Sequence, residues 1–269
     1  MSSESQSRSQ SQSRSRSRSG SHELWSWRAV RAQTRAETTM TLRRGESLLL
    51  TIVIPVVLLV FFVAIGYPDR SLTGGISTVD YITPGIMALA VMSTAMVSLA
   101  IATGFERQYL VLKRLATTPL GRPALLTAKT TTVFVVEVLQ IAVIWAVGAA
   151  LGWQPRGDIS VFALEVVLAT AGFAGIGLLM AGTLRAEMTL AAANGLYLLL
   201  LLTSGMVVPL SKLPGPVQGI ARALPAAALT DAVHATLGLG DAVPTRAWLV
   251  LLAWAVAAPV AAGLAFRWE

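Results

Sequence analysis

The chain has 269 residues, enough for one ordinary domain, and 54% of them are hydrophobic while only 13% are charged. A soluble domain carries about 25% charged residues to wet its surface, so this composition excludes a soluble protein and indicates one covered by lipid. Cysteine is absent and there are only two histidines, His22 and His234. Disulfides, thiolate metal sites and a histidine-rich metal site are therefore not expected.

The net charge of +7 is concentrated at the N-terminus, where residues 1–47 hold nine Arg and four Glu. Residues 1–20 are a Ser/Arg/Gln repeat with nothing to bury, which predicts a disordered tail, either simply solvated or attracted to anionic lipid. Residues 21–47 place Arg28, Arg31 and Arg35 at helical spacing beside Trp25 and Trp27, which predicts an amphipathic helix that lies in the headgroup layer or, alternatively, is simply solvated. A basic tail without a basic folded surface does not favour nucleic-acid binding.

Residues 48–269 predict an all-α integral membrane domain with six transmembrane helices. Each apolar run has about the 20 residues that cross a bilayer core, and the runs lie at 48–66, 84–104, 125–151, 160–183, 188–209 and 247–266. With the N-terminus inside, the inner segments together with Lys129 at the inner end of the third run carry 16 Lys and Arg, and the outer segments carry five. This ratio predicts a multi-pass plasma-membrane protein with both termini in the cytoplasm.

Residues 105–123 form the most informative segment, a cytoplasmic loop between the second and third runs. Helical periodicity over 105–117 places apolar side chains on one face and puts Glu106, Arg107, Lys113 and Arg114 on the other. Pro119 and Pro123 end this predicted helix. A loop that only connects two spans needs no amphipathic helix, so this one suits a rigid element that receives force from a partner.

This loop resembles the ABC-2 type permeases, in particular the daunorubicin-resistance type of exporter permease. The likeness covers roughly residues 40–266, and its motifs are Glu106-Arg107, Leu112-Lys113-Arg114-Leu115, Thr118-Pro119-Leu120 with Arg122, and in the second half Ser204-Gly205, Pro209, Leu213-Pro214 and Leu224-Pro225. The resemblance implies that the 105–119 segment is a coupling helix docking into a separate ATPase subunit, which would bind the ATP and Mg. It also implies a permease homodimer and export of the cargo.

Three positions depart from the family pattern, and at one of them the family often has Gly where this chain has Ala116. The family commonly has Gly where this chain has Leu110, and an exposed leucine there either fills an apolar pocket on the ATPase subunit or is tolerated drift. His234 stands where the family often has Arg, so a charge role cannot be carried over to this position.

Residues 210–246 predict an outer re-entrant segment. Pro209 and Pro214 break the fifth run, and two apolar stretches at 217–224 and 226–237, separated by Pro225, are too short to span a membrane. Such stretches pack against the bundle, because irregular backbone exposed to lipid is costly. We expect them to form an outer gate or lid.

Two polar residues fall in the middle of the third run. Glu137 and Gln140 are three residues apart and therefore share a helix face, and a charge at mid-bilayer costs about 2.5–3.5 kcal/mol on insertion scales. Glu137 is expected to face the protein interior or to be protonated. The pair predicts either a substrate path or gating site, or an interhelical hydrogen bond.

No phosphate-binding GxxxxGK[ST] loop or HExxH site occurs in the sequence, and no serine–histidine pair falls at a depth suited to an intramembrane protease, so no catalytic or cofactor-binding site is expected in this chain. The predicted function is the permease subunit of an ATP-driven exporter of a hydrophobic drug, antibiotic or lipid-like molecule, of the kind that confers antibiotic resistance. The alternative is a proton-coupled secondary transporter that uses Glu137, although no inverted repeat is evident.

Overall fold

The computed structural model describes residues 31, 33–40, 45–111, 122–206 and 209–266, and within these ranges the regular structure is helical throughout. In chain order the helices are α1 (33–40), α2 (Gly45–Ile65), α3 (Thr78–Met92), α4 (Leu99–Gln108), α5 (Arg122–Ala150), α6 (Ile159–Thr183), α7 (Ala186–Thr203), α8 (Gly215–Ala221), α9 (Pro225–Val233) and α10 (Thr245–Ala265). π-helical turns at Ser93–Ser98 and His234–Leu239 follow α3 and α9.

Five helical rods in the described ranges are long and apolar enough to cross a membrane. They are Thr78–Gln108, Ala124–Ala150, Ile159–Thr183, Ala186–Thr203 and Thr245–Ala265. α2, which has 21 residues, coincides with the first predicted span, and its Thr51–Ile65 part is a shorter apolar helix. The all-α integral membrane fold is therefore confirmed with five candidate spanning helices, and a sixth crossing by α2 stays a prediction.

The rod at the centre of the bundle consists of α3, the first π turn and α4. Its apolar window is 72% buried, compared with 22% for α7 and for α10, because the other helices surround it. Ile86, Met87, Met92 and Met96 on this rod have no more than 1% of their surface exposed. A helix that is apolar on all sides belongs at such a central position.

Two predicted spans have different limits in the structure. The second begins six residues earlier, at Thr78, because the Ser77 hydroxyl accepts a hydrogen bond from the Asp80 amide and caps the helix. The fifth ends at Thr203, because the chain turns at Gly205 with a φ of 81°. The apolar sequence continues to Leu210, so hydropathy alone could not locate this end.

Glycines allow α6 to pack closely against α10, the helix pair with the most extensive mutual contact. A Cβ atom on Gly175 would lie 2.5 Å from the backbone carbonyl carbon of Ala258, and closer still to the backbone nitrogen of Pro259. A Cβ on Gly177 would meet the backbone oxygen of Met96 at 2.6 Å. Backbone atoms cannot move aside as a flexible side chain can, so these glycines set the distances between α6 and its neighbours.

We expect Gly175→Ala to lower the free energy of unfolding by about 1–3 kcal/mol, because the new methyl group would overlap the α10 backbone. The matched control is Gly263→Ala on α10, where an added Cβ meets nothing within 4 Å. That change should leave stability equal or slightly higher, since Ala favours helix more than Gly. Thermal unfolding of the detergent-solubilised protein measures both, and equal effects of the two variants would contradict the close packing.

Candidate functional site

The predicted helix over 105–117 is wrong in its extent. α4 ends at Gln108, the Tyr109 amide donates to the Phe105 carbonyl at 2.9 Å, and Leu110 has a φ of 60°. This left-handed conformation is costly for a residue with a Cβ and interrupts an α-helix. The helix therefore cannot run unbroken through this point, although the apolar periodicity continues. Lys113 and Arg114 lie outside the described residues.

The segment just after α4 exposes apolar side chains. Tyr109 is 69% exposed, Leu110 54% and Val111 41%. The position where the permease family commonly has Gly is thus one with a positive φ, which glycine adopts without strain. Leu110 adopts this backbone conformation and exposes its isobutyl side chain. An exposed apolar side chain suits docking into an apolar pocket, and this role of Leu110 stays a prediction.

Lys129 lies at the centre of an ion cluster that joins α1, α4 and α5. Its Nζ donates to Glu106 Oε2 at 2.5 Å and lies 3.5 Å from Glu37 Oε1, and only 3% of the residue is exposed. A buried ammonium group is tolerated when carboxylates surround it, and removing one partner of such a pair costs several kcal/mol. Glu106 therefore contacts its own chain at this point.

The two residues after Glu106 extend this network toward α7. Arg107 Nη2 donates to the backbone oxygen of Leu184 at 2.5 Å, and Gln108 Nε2 donates to Glu187 Oε1 at 2.8 Å. Three consecutive residues at the end of α4 thus each contact a different element. Glu106 binds Lys129 of α5, which also binds α1, Arg107 binds the α6–α7 link, and Gln108 binds α7. A displacement of this end of α4 must shift all of these elements or break their contacts.

Sequence reasoning missed the partners of Glu106. In the sequence Lys129 is only a positive charge at the inner end of a span, and no local pattern points to Glu37. A usable clue is present, since Lys129 is the single charge in the run from Pro123 to Val136. A lone charge in such a run needs an opposite charge from another helix.

Glu137 and Gln140 both face the interior of the bundle and have no exposed surface. Thr170 on α6 lies with its Oγ1 2.5 Å from Glu137 Oε2. Gln140 Nε2 donates to the Thr51 carbonyl of α2 at 2.7 Å, and Thr94 in the first π turn donates to Gln140 Oε1 at 2.9 Å. The pair therefore connects α5 to three other elements, while a role in gating or in a substrate path stays a prediction.

The outer segment after α7 contains two short helices, each preceded or begun by proline. Pro214 comes just before α8, Pro225 is the first residue of α9, and Pro209 comes just before a 3₁₀ turn at Leu210–Lys212. α9 and the π turn after it are almost entirely buried against α3, α6 and α10. The second predicted stretch thus extends two residues further, to Leu239.

His234 makes a specific contact with α3 at the base of this segment. Its ring stacks on Tyr81 with centroids 4.3 Å apart, and its Nε2 donates to the Tyr81 backbone oxygen at 2.8 Å. The Tyr81 hydroxyl in turn donates to the Gly205 carbonyl at 2.7 Å. Burial lowers the pKa of His234 to about 4, opposed by the hydrogen bond to Tyr81. His234 is therefore neutral here, unlike an arginine.

Other links hold the outer segment that sequence reasoning did not foresee. Arg246 at the start of α10 donates to Asp231 Oδ2 at 2.5 Å, and Trp254 Nε1 donates to the Ala223 carbonyl at 3.0 Å. Thr236 in the second π turn donates to Glu165 Oε1 at 2.6 Å. π turns often occur at functional sites, and each of the two here brings a threonine onto a buried polar side chain.

We expect Leu110→Gly to keep the free energy of unfolding unchanged or raise it by up to about 1 kcal/mol. Relief of the left-handed strain outweighs or balances the greater freedom of glycine in the unfolded chain. Leu252→Gly, at a similarly exposed leucine inside α10, should lower it by about 1 kcal/mol. Chemical denaturation in detergent compares them, and equal losses would show that residue 110 is not left-handed.

We expect the midpoint of thermal unfolding to fall as the pH drops from about 6.5 toward 4. In this window the unfolded chain protonates His234, whose ordinary pKa is near 6.5, while the folded chain keeps it neutral, so acid favours unfolding. Above this window His234 contributes no pH dependence. His234→Gln should flatten the decline between pH 7 and 5. Burial raises the pKa of Asp231, which acts oppositely but is common to both proteins. Identical pH profiles would contradict a half-buried ring that stays neutral.

The family model of the ABC-2 type transporter matches residues 28–237, which is more than half of the chain. The match includes the Lys129 cluster, the mid-membrane polar residues and the outer segment as far as Leu237. No curated protein matches the chain. Members of this family are membrane subunits that transport rather than catalyse, and they normally pair with an ATPase subunit. With its apolar helices and its ion cluster at the end of α4, the chain belongs to the ABC-2 type transporter family and is a transporter permease subunit.

Proposed function

We propose that this permease subunit exports a hydrophobic drug, antibiotic or lipid-like molecule across the plasma membrane, driven by a separate ATPase subunit that binds ATP and Mg. The 105–119 segment is the coupling element, and both termini are cytoplasmic. The observation that carries the proposal is the Lys129 cluster, because it links the end of α4 to α1 and α5 beside that segment.

The contacts at the end of α4 suggest how a push would be transmitted. Glu106 and Arg107 contact the rest of the permease through Lys129 and Leu184, while Leu110 is exposed. In this proposal the ATPase subunit contacts Leu110, Lys113 and Arg114 together with the outward surface of Glu106 and Arg107. Movement of the segment then shifts α5 through Lys129 and α7 through Gln108.

A membrane-facing cavity supports an apolar cargo. It has a volume of about 450 Å³, within the usual range of small-molecule sites, and is lined by α5, α6 and α10 around Gly175 and Pro259. The hydroxyls of Thr130 and Thr131 in its wall donate to carbonyls of their own helix. The wall therefore offers little to a polar molecule and much to a hydrophobic one.

The exposed apolar side chains of α2 and α7 support association with a second copy and with lipid. On α2 they include Val57, Val60 and Phe61, and on α7 Leu198, Leu199 and Leu202. Exposed apolar side chains in a membrane protein are shielded from water by lipid or by another subunit. A permease homodimer surrounded by lipid would shield them. A path between two copies would let the cargo cross without entering the packed core of either.

The experiment is ATP-driven transport by the native complex, purified through this chain and reconstituted in vesicles with a panel of hydrophobic compounds. Lys129→Met leaves two carboxylates without their cation, so we expect the ATPase subunit to stay bound while transport is lost. Lys129→Arg keeps the charge and should retain transport. Lys212→Met, at an exposed lysine of the outer segment, is the matched control and should behave as wild type.

Two outcomes would overturn the proposal. One is a purified complex without an ATPase subunit. The other is transport that needs no ATP and stops when the proton gradient is dissipated, which would favour the secondary transporter with Glu137 as its proton carrier.

A further inference from the structure

Two glutamates inside the bundle have no cation beside them. Glu137 on α5 and Glu165 on α6 have no exposed surface, and neither forms a salt bridge with any residue in the described part of the chain. Each contacts one threonine through one carboxyl oxygen, while its other oxygen, Oε1 of Glu137 and Oε2 of Glu165, has no hydrogen-bond partner among the described residues. An ionised carboxylate in such surroundings would be expensive.

The threonine beside Glu137 decides which atom carries the hydrogen. Thr170 Oγ1 lies 2.5 Å from Glu137 Oε2 and 2.8 Å from the Val166 carbonyl oxygen. A hydroxyl group has a single hydrogen to donate, and a carbonyl oxygen can only accept. If Thr170 donated to a Glu137 carboxylate, its contact with Val166 would set two oxygens side by side with no hydrogen between them.

Adding one hydrogen to Glu137 resolves both contacts. The acid then donates from Oε2 to Thr170 Oγ1, and Thr170 donates to Val166, as threonines in helices commonly do. The remaining oxygen, Oε1, becomes a neutral carbonyl without a donor, which costs far less than an unpaired charge.

Glu165 does not require the same assignment. The hydroxyl of its partner Thr236 makes no second hydrogen bond within the described residues, so Thr236 can donate its single hydrogen to Glu165 Oε1. Glu165 is therefore a control for Glu137, because it is similarly buried in the same bundle but its threonine partner does not require a protonated carboxyl group.

We propose that Glu137 is a permanently neutral carboxylic acid that donates its hydrogen to Thr170 and thereby fixes α5 against α6. It is a positioning residue, which neither carries protons nor binds a cation during transport. Together with Gln140, it ties α5 to α2, to the first π turn and to α6 without placing a charge in the membrane. This inference requires neither an ATPase subunit nor a direction of transport, and it opposes the alternative in which Glu137 carries protons.

Infrared spectroscopy of the reconstituted wild-type protein tests the proposal directly. With ¹³C-labelled glutamate, a hydrogen-bonded carboxylic acid gives a carbonyl band that shifts with the label. We expect that band to persist from about pH 4 to pH 8, across the range in which exposed carboxyl and histidine groups titrate. It should vanish in Glu137→Gln and remain in Glu165→Gln. Thr170→Val removes the acceptor and should move the band to higher frequency, whereas Thr170→Ser should leave it in place.

A functional measurement separates positioning from proton transfer. Glu137→Gln supplies an N–H donor of similar shape, so it should keep most of the thermal stability and the transport rate, while Glu137→Leu should lose both. Loss of transport in Glu137→Gln with stability intact would overturn the proposal, because it would show that the proton itself is needed. So would the absence of an acid band that depends on Glu137, or one that disappears as the pH rises through this range.

Discussion

The scarcity of water inside a bilayer governs the polar chemistry of this protein. A charged or polar side chain within the spans must find its partner in the chain, since lipid offers none. Lys129 forms ion pairs with Glu106 and Glu37, and Gln140 forms hydrogen bonds with Thr94 and with the Thr51 backbone. Each of these pairings joins two different helices. The lack of water therefore requires the pairings, and the pairings determine which helices are held together.

Two kinds of contact hold different parts of the helix bundle together. Glycine-mediated contact joins α6 to α10 and to the central rod, with backbone against backbone and little room for sliding. Polar contacts connect α5 with α1, α2, the rod and α6 through a few hydrogen bonds and ion pairs. Close backbone packing resists displacement over its whole length, whereas a polar contact is local and can exchange partners. The α5 side, which follows the proposed coupling segment in the chain, is therefore better suited to movement than the α6–α10 pair.

The outer segment is held from several directions despite its short helices. His234 and Tyr81 hold it to α3, Thr236 to α6, and Asp231 to α10. The residues of α9 are small and apolar, which lets this helix enter the bundle, and Asp231, His234 and Thr236 are each paired. A gate at this place would have to break or move several of these contacts together, so its opening would follow helix motion.

The sequence by itself determined the helical membrane fold, the position of most spans and the family, because these follow from the length and spacing of apolar runs and from a local loop motif. It located the starts of the two short outer helices at Pro214 and Pro225, because proline acts on its own neighbours, whereas the fifth run ends before the expected break at Pro209. Only the tertiary structure decided that α4 stops before the left-handed Leu110, that α7 stops before Gly205, and which groups pair with Glu106, Glu137 and His234. Those partners are distant in sequence, as with Tyr81 and His234, and no local pattern encodes a contact between helices that come together only when the bundle packs.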